Sequence, residues 1–231
     1  MTRLTVWIAT VWMALAGAAM AEKQLIVVEL FTSQGCSSCP PADAFLHELA
    51  KRSDVVALSL HVDYWDYIGW KDVFADPKYT QRQQGYAKAG KRRSVYTPQM
   101  IIQGQDHVLG NHSMDVNDLI KSYQKRAQKV VLQASRKGGQ VTITASGGQG
   151  AGPMLVQLVR YEPSATVDIR RGENAGRKIA YANVVREWKV VGEWDGKKPL
   201  SLKVRTTGDL PVAVIVQHKG FGPIMAVARA E

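Results

Sequence analysis

Phe31-Thr32-Ser33-Gln34-Gly35-Cys36-Ser37-Ser38-Cys39-Pro40-Pro41-Ala42-Asp43 carries both cysteines of the chain, separated by two serines. Just upstream, Leu25 to Leu30 is a short apolar run rich in valine and isoleucine, the pattern of a buried strand. Just downstream, Ala42, Phe45, Leu46 and Leu49 recur at helical spacing, and a helix is expected to run to about Arg52. The cysteines therefore fall where a strand turns into a helix. There the unpaired N–H groups and the dipole of the first turn favour an anion such as a thiolate.

The N-terminus bears on which chemistry such a pair can have. After Arg3, residues Leu4 to Ala21 carry no charge and end in the small-residue run Ala18-Ala19-Met20-Ala21. This reads as a secretory signal peptide, residues 1–21, cut after Ala21. The alternative is an uncleaved anchor, since about 18 uncharged residues can just span a bilayer. No cysteine follows the cut, which argues against a lipid anchor there, and no second apolar span follows. The net charge of +10 falls to +9 when Arg3 leaves with the signal. In an exported protein that balance suits solubility and attraction to anionic surfaces, and nucleic acid is not expected as a partner. The expected location is periplasmic or secreted, where vicinal cysteines are oxidised unless something reduces them. As a staple such a bridge is weak, because closing so short a loop contributes only about 2 kcal/mol, against about 4.7 for a hundred-residue loop. Redox or metal chemistry is therefore favoured over a purely structural bridge.

Along the chain, Asp54 to Val62 is a second apolar strand, which makes the first two strands parallel through a helical crossover. Their C-terminal ends share one sheet edge, the usual ligand side of open α/β sheets. This places His61-Val62-Asp63-Tyr64-Trp65-Asp66-Tyr67-Ile68-Gly69-Trp70-Lys71-Asp72 beside Cys36. A helix is expected over Pro77 to Lys88, then a basic loop at Lys91-Arg92-Arg93. A short strand follows over Met100 to Gln103, then a turn at Gly104-Gln105-Asp106, a returning strand at His107 to Leu109, and a helix capped by Asp115.

The order β-α-β-α-β-β-α, with a CxxC opening the first helix and a proline just before the third strand, resembles the thioredoxin fold. In that fold the matching proline, here Pro98 after Thr97, is cis and faces the sulfurs. Longer runs carry a closer resemblance: the opening stretch, His61-Val62-Asp63-Tyr64-Trp65-Asp66-Tyr67, Thr97-Pro98-Gln99-Met100 and Arg171-Gly172-Glu173-Asn174-Ala175-Gly176-Arg177. These are similar to an uncharacterised family of bacterial secreted proteins, domain of unknown function 1223. The resemblance covers nearly the whole mature chain. It implies a thioredoxin-like domain over residues 22–128 and an exported home, and it supplies no activity.

From about Val130 the pattern changes to strands, expected over 130–135, 140–146, 154–161, 179–188, 200–204, 212–217 and 224–228. Short strands at this spacing suggest an all-β, sandwich-like domain over 129–231. The polar loop Gly172 to Gly176, flanked by Arg170, Arg171 and Arg177, is read either as a solvated hairpin end or as a segment that caps the cysteine pair or contacts an anionic group.

In a CxxC the sulfur nearer the helix start is usually the nucleophile and is expected to be open to solvent, and its pKa is depressed into a range of about 3.5 to 7.5. Cys36 takes that role and Cys39 the resolving one. Gly35 and Ser37-Ser38 stand where the reducing thioredoxins have tryptophan and a proline-containing pair, so the direction of electron flow stays open. Glu29, seven residues before Cys36, resembles the buried acid of the thioredoxin strand. Facing the helix, it would be a general base with a raised pKa; facing outward, it only solvates the strand. Pro98 would shape the substrate groove. His61 and Asp63 are expected on one strand face. His61 could tune the thiolate or join Cys36 and Cys39 in a copper or zinc site, or it could be a hydrogen-bonded histidine at a domain seam. Tyr64, Trp65, Tyr67 and Trp70 are read as aromatic packing before a docking surface. Three functions remain in view: a thiol-disulfide oxidoreductase acting on cysteine-containing periplasmic proteins, a metal-binding protein or metallochaperone, and an interaction module with an inert bridge. The first is favoured, with no cofactor; oligomeric state is left open.

Overall fold

The computed structural model describes residues 24–230, so the expected signal segment lies outside the described residues. Strand β1 (Ile26–Thr32) is wholly buried and leads through the cysteine loop into helix α1 (Pro40–Ala50). Two prolines open α1, which suits its first positions because the N–H groups they lack have no helical acceptor there. Strand β2 (Val55–His61) pairs parallel with β1 along its whole length, as a strand–helix–strand crossover dictates. After a 3-10 turn at Asp66–Ile68 comes helix α2 (Pro77–Ala89), capped by the Asp76 carboxylate, which accepts from the Lys78 amide. Strands β3 (Gln99–Ile102) and β4 (Asp106–Leu109) form a hairpin, turning through Gln103 and Gly104 at positive φ. Helix α3 (Ser113–Gln124) follows; Asp115, expected as its cap, lies in the first turn, and His112 holds the cap position.

The remaining strands are β5 (Val130–Lys137), β6 (Gln140–Gly147), β7 (Met154–Asp168), β8 (Lys178–Trp194), β9 (Leu200–Arg205), β10 (Val212–His218) and β11 (Ile224–Ala230). They do not stand apart as one all-β unit. Four of them complete a mixed eight-stranded sheet in the order β11-β10-β7-β8-β2-β1-β3-β4, while β5-β6-β9 make a separate antiparallel sheet. The architecture is mixed α/β, and the sheet runs through the boundary expected near residue 129. Alternation of apolar and polar residues marks a strand's existence but not its partner, which is why the sequence pattern alone separated the two halves.

The join itself is narrow. Strand β8 meets β2 through one parallel pair, Ser59 with Val184, and the neighbouring Asn183, at positive φ, donates its amide to the Ala57 carbonyl at 2.9 Å. One face of the sheet carries a core that crosses this join: Val27, Phe31, Leu58 and Leu60 with Tyr79 and Tyr86 of α2 and with Val159, Ala213 and Ile215 of the later strands. The other face is covered by α1 and α3 over one half and by β5-β6-β9 over the other. Strands β7 and β8 are longer than expected, with register shifts near Val156 and Arg160. Such bulges bend a hairpin. The far end of this one, residues 169–177, reaches the cysteine loop.

Candidate functional site

Cys36 and Cys39 are joined in a disulfide with their Cα atoms 5.4 Å apart. Cys39 occupies the N-cap position of α1, and its carbonyl accepts the amides of Ala42 and Asp43. Ser37 and Ser38 are exposed, yet Cys36 is only 1% exposed and Cys39 0%. The expectation of a sulfur open to solvent is not met in this conformation.

What covers the pair is the β7–β8 loop. Asn174, itself buried, donates its side-chain amide to the carbonyls of Gln34 at 3.0 Å and Cys36 at 2.9 Å, while Glu173 accepts from the Ser37 amide at 3.3 Å. The loop holds its own shape: Gly176 donates to Ile169, Arg177 to Asn174, and Gly172 turns at positive φ against the backbone and side chain of Trp70. Arg170, Arg171, Arg177 and Lys178 line its exposed side. Of the two readings of this loop, the cap is the one observed. Replacing Asn174 with alanine removes two buried amide–carbonyl bonds that together contribute about 1–2 kcal/mol. Reduction of the disulfide by dithiothreitol, followed by thiol alkylation, should then run about tenfold faster than in the wild type if the loop must lift first.

The floor of the site is polar. Thr32 of β1 and Ser59 and His61 of β2 alternate with residues of the α2-side core and therefore point toward α1, where Asp43 lies one turn beyond Cys39. His61 Nδ1 donates to Asp72 Oδ2 at 2.7 Å, with both side chains sealed from solvent. Asp72 also accepts the amides of Gln34 and Phe74, so its carboxylate is held by three donors. Tyr181 of β8 packs edge-on to His61 with ring centroids 4.8 Å apart. Burial raises Asp43 to about 7; His61 and the Thr32 hydroxyl pull it down, and Asp72 adds to the rise. Both Asp43 carboxyl oxygens, Thr32 Oγ1, Ser59 Oγ, His61 Nε2 and the Tyr181 hydroxyl close no hydrogen bond of normal geometry.

Other expected site residues fall elsewhere. Glu29 is buried, but it faces α2, across the sheet from α1, and pairs with Arg82 at 2.5 and 3.0 Å. It is neither a base beneath the cysteines nor a solvated strand residue. Asp63 does not share the face of His61, because the strand ends at His61 and Asp63 turns to accept from Thr80 of α2 at 2.5 Å. The Thr97–Pro98 bond is cis, as the resemblance implies, and Pro98 is buried; a side chain on Gly110 would meet both Pro98 and Ala42 of the first turn of α1 at 3.0 Å. Among the described residues no three histidine, cysteine or acidic side chains are placed to hold a metal ion. The copper or zinc set of Cys36, Cys39 and His61 is not assembled: the sulfurs are bonded to each other and His61 Nδ1 is committed to Asp72. Trp65 and Trp70 anchor the loop, donating to Thr97 Oγ1 and Gln34 Oε1 at 2.8 Å each, and Tyr64 packs on the core, whereas Tyr67 is 81% exposed.

Asp43, Asp72 and Tyr181 escaped the sequence reading. Asp43 left a signal, a carboxylate between Ala42 and Leu46 on the apolar stripe of α1. Asp72 ended the segment expected beside Cys36, but nothing there marked its carboxylate as the partner of His61, and Tyr181 left no signal, since its place depends on folding of the hairpin.

A family model described as "Protein of unknown function (DUF1223)" matches residues 27–217. The chain belongs to the DUF1223 family. This DUF1223 protein is similar to the crystal structure of protein AGR_C_4864 from Agrobacterium tumefaciens at 34% identity. The TM-score is 0.79, and the match covers 91% of this chain and 96% of that one. It also shares its fold with HBP35 of Porphyromonas gingivalis at 15% identity and TM-score 0.64, covering 90% of this chain and 74% of that one. A comparison with curated proteins returns no relative. Among the described residues of this DUF1223 protein, no helix is long and apolar enough to cross a membrane.

Proposed function

We propose that the protein is an exported thiol-disulfide exchange protein with a thioredoxin-like first half and a sandwich-like second half. Its expected home is the periplasm or the extracellular space, and its substrates are cysteine pairs of other exported proteins. The observation that carries this reading is the Cys36–Cys39 disulfide at the start of α1, held under a loop by side-chain hydrogen bonds to the cysteine loop. A bond so placed is weak as a staple and well placed for a thiolate once opened. Cys36 is the attacking sulfur, Cys39 resolves, Pro98 borders the groove, and the β7–β8 loop has to lift for a partner to enter. The polypeptide itself supplies the chemistry, so no cofactor is needed.

The test is exchange itself. Fully reduced wild-type protein should accelerate the reduction of insulin by dithiothreitol, and Cys36→Ser should abolish that acceleration. Cys39→Ser, expressed in the periplasm, should accumulate as a mixed disulfide with partner proteins, released by reductant. The burial of both cysteines favours a second reading, an inert bridge in an interaction module. A pair that resists millimolar dithiothreitol in the folded protein, with no insulin turnover and no trapped partner, would establish that reading instead.

A further inference from the structure

We infer that Asp43, backed by the His61–Asp72 pair, is the proton acceptor for Cys39 in the resolving step. This rests on the exchange reading above and assigns the proton traffic within it.

Four observations converge on this carboxyl. Asp43 lies one helical turn after Cys39, and the i, i+4 relation puts both side chains on the buried face of α1. Neither carboxyl oxygen is tied up, unlike those of Asp72, which hold three donors. His61 Nε2, also without a hydrogen-bond partner, belongs to an imidazole whose other nitrogen is fixed on Asp72. Glu29 is disqualified by its place across the sheet and its pairing with Arg82. The groups facing Asp43 are Thr32 from β1, His61 from β2, Asp72 from the following loop and Tyr181 from β8; His47 stands one turn further along α1 itself. Arg186 is spent over the Phe74 ring, which packs edge-on to His61. A carboxyl in such surroundings exchanges its proton near neutral pH, as a group matched to a thiol must.

The Cys36 thiolate attacks a partner disulfide, forming the Cys36–partner bond and releasing one partner thiolate. Cys39 gives its proton to the Asp43 carboxylate, and its thiolate attacks the Cys36 sulfur. The Cys36–Cys39 bond forms, the Cys36–partner bond breaks, and the electron pair leaves on the second partner sulfur. That sulfur takes up a proton, either the one from Asp43 or one from solvent. The partner disulfide has gained two electrons and the protein dithiol has lost two. In the reverse direction Asp43 returns the proton to Cys39.

Rapid mixing of the reduced full-length mature protein with the aromatic disulfide DTNB separates the two steps. One nitrothiobenzoate leaves when Cys36 attacks and a second when Cys39 resolves. Asp43→Asn should leave the first phase unchanged at pH 7 and slow the second about tenfold. The second phase should then rise with pH until Cys39 ionises unaided, at about pH 8.5. Asp43→Glu should restore the wild-type profile. If Asp43→Asn does not fold, the wild-type profile decides: an inflection of the second phase near pH 7 supports the assignment, and a continuous rise to the thiol range overturns it. An Asp43→Asn variant whose second phase matches the wild type in rate and pH profile also overturns it, while leaving exchange intact. A wild-type protein that releases no second nitrothiobenzoate sinks the exchange reading and this assignment together.

Discussion

Glu29→Ala is expected to destabilise the protein by about 3–5 kcal/mol, the usual cost of removing one partner of a sealed ion pair. The Glu29 carboxylate accepts from Arg82 at 2.5 and 3.0 Å and from the Tyr86 hydroxyl at 2.6 Å. Arg82 also donates to Gln217 of β10 and lies over the Trp188 ring of β8 at 3.7 Å. Gln217 in turn accepts from Gln157 of β7. The network therefore joins β1 and α2 to the later strands of the same sheet, across the narrow seam between β2 and β8. Proximity to Glu29 keeps the Arg82 guanidinium fully charged although burial opposes its charge. Without Glu29 that cation is left in a site built to exclude water. Urea unfolding should show the loss directly, and thermal unfolding should show a fall of about 10 °C. Replacing Glu29 and Arg82 together by methionine should cost much less, because no uncompensated charge remains. A single-mutant loss under 1 kcal/mol would mean that the pair does not hold the two halves together. The disulfide lies on the opposite side of the sheet, so the effect belongs to stability rather than to exchange.

The second large effect is a pH dependence carried by Asp43. Its carboxyl sits at about 7 in the folded protein against 3.8 when unpaired in water. Between those values the folded state holds a proton that the unfolded state releases. Stability from this group is therefore full below pH 4, falls as pH rises, and is gone above pH 7. The gap corresponds to about 4 kcal/mol. Asp43→Asn carries no such titration. The stability difference between variant and wild type, from urea unfolding of the oxidised proteins, should move by up to about 4 kcal/mol in favour of the variant from pH 4 to pH 8. Comparison at each pH cancels the other carboxylates. A difference that stays flat across that range would mean that the Asp43 carboxyl titrates in the folded protein as it does in the unfolded chain.

Residues with strong local patterns announced their elements correctly. The valine and leucine runs of β1 and β2, the apolar stripe of α1, the alternation in β6, and the short apolar runs of β5, β10 and β11 each left a signal within a few residues of its observed bounds. The site was legible only in outline. The CxxC and its place at a helix start could be read from spacing, and the 170–177 loop stood out by its charge and glycines. That this loop would close over the cysteines was not determined by spacing, because it depends on how far the β7–β8 hairpin reaches. Glu29 illustrates the limit: a single acid in an apolar strand says that something must satisfy it, but the face it takes follows from the pleat and the register.

The sequence by itself determined the local elements, the position of the cysteine pair at the mouth of α1, and membership of the family, since these follow from short-range periodicity and long unbroken motifs. The tertiary structure alone decided that the later strands extend the first sheet and that a hairpin tip seals the disulfide. It also decided that Asp43, rather than Glu29, shares a buried face with Cys39. The first two depend on pairing between residues more than a hundred positions apart, as Asn174 with Cys36 and Ser59 with Val184 show, and the third on which face of the sheet α1 covers. Hydrogen bonds and packing over such separations are fixed by the whole fold, and no local stretch of chain encodes them.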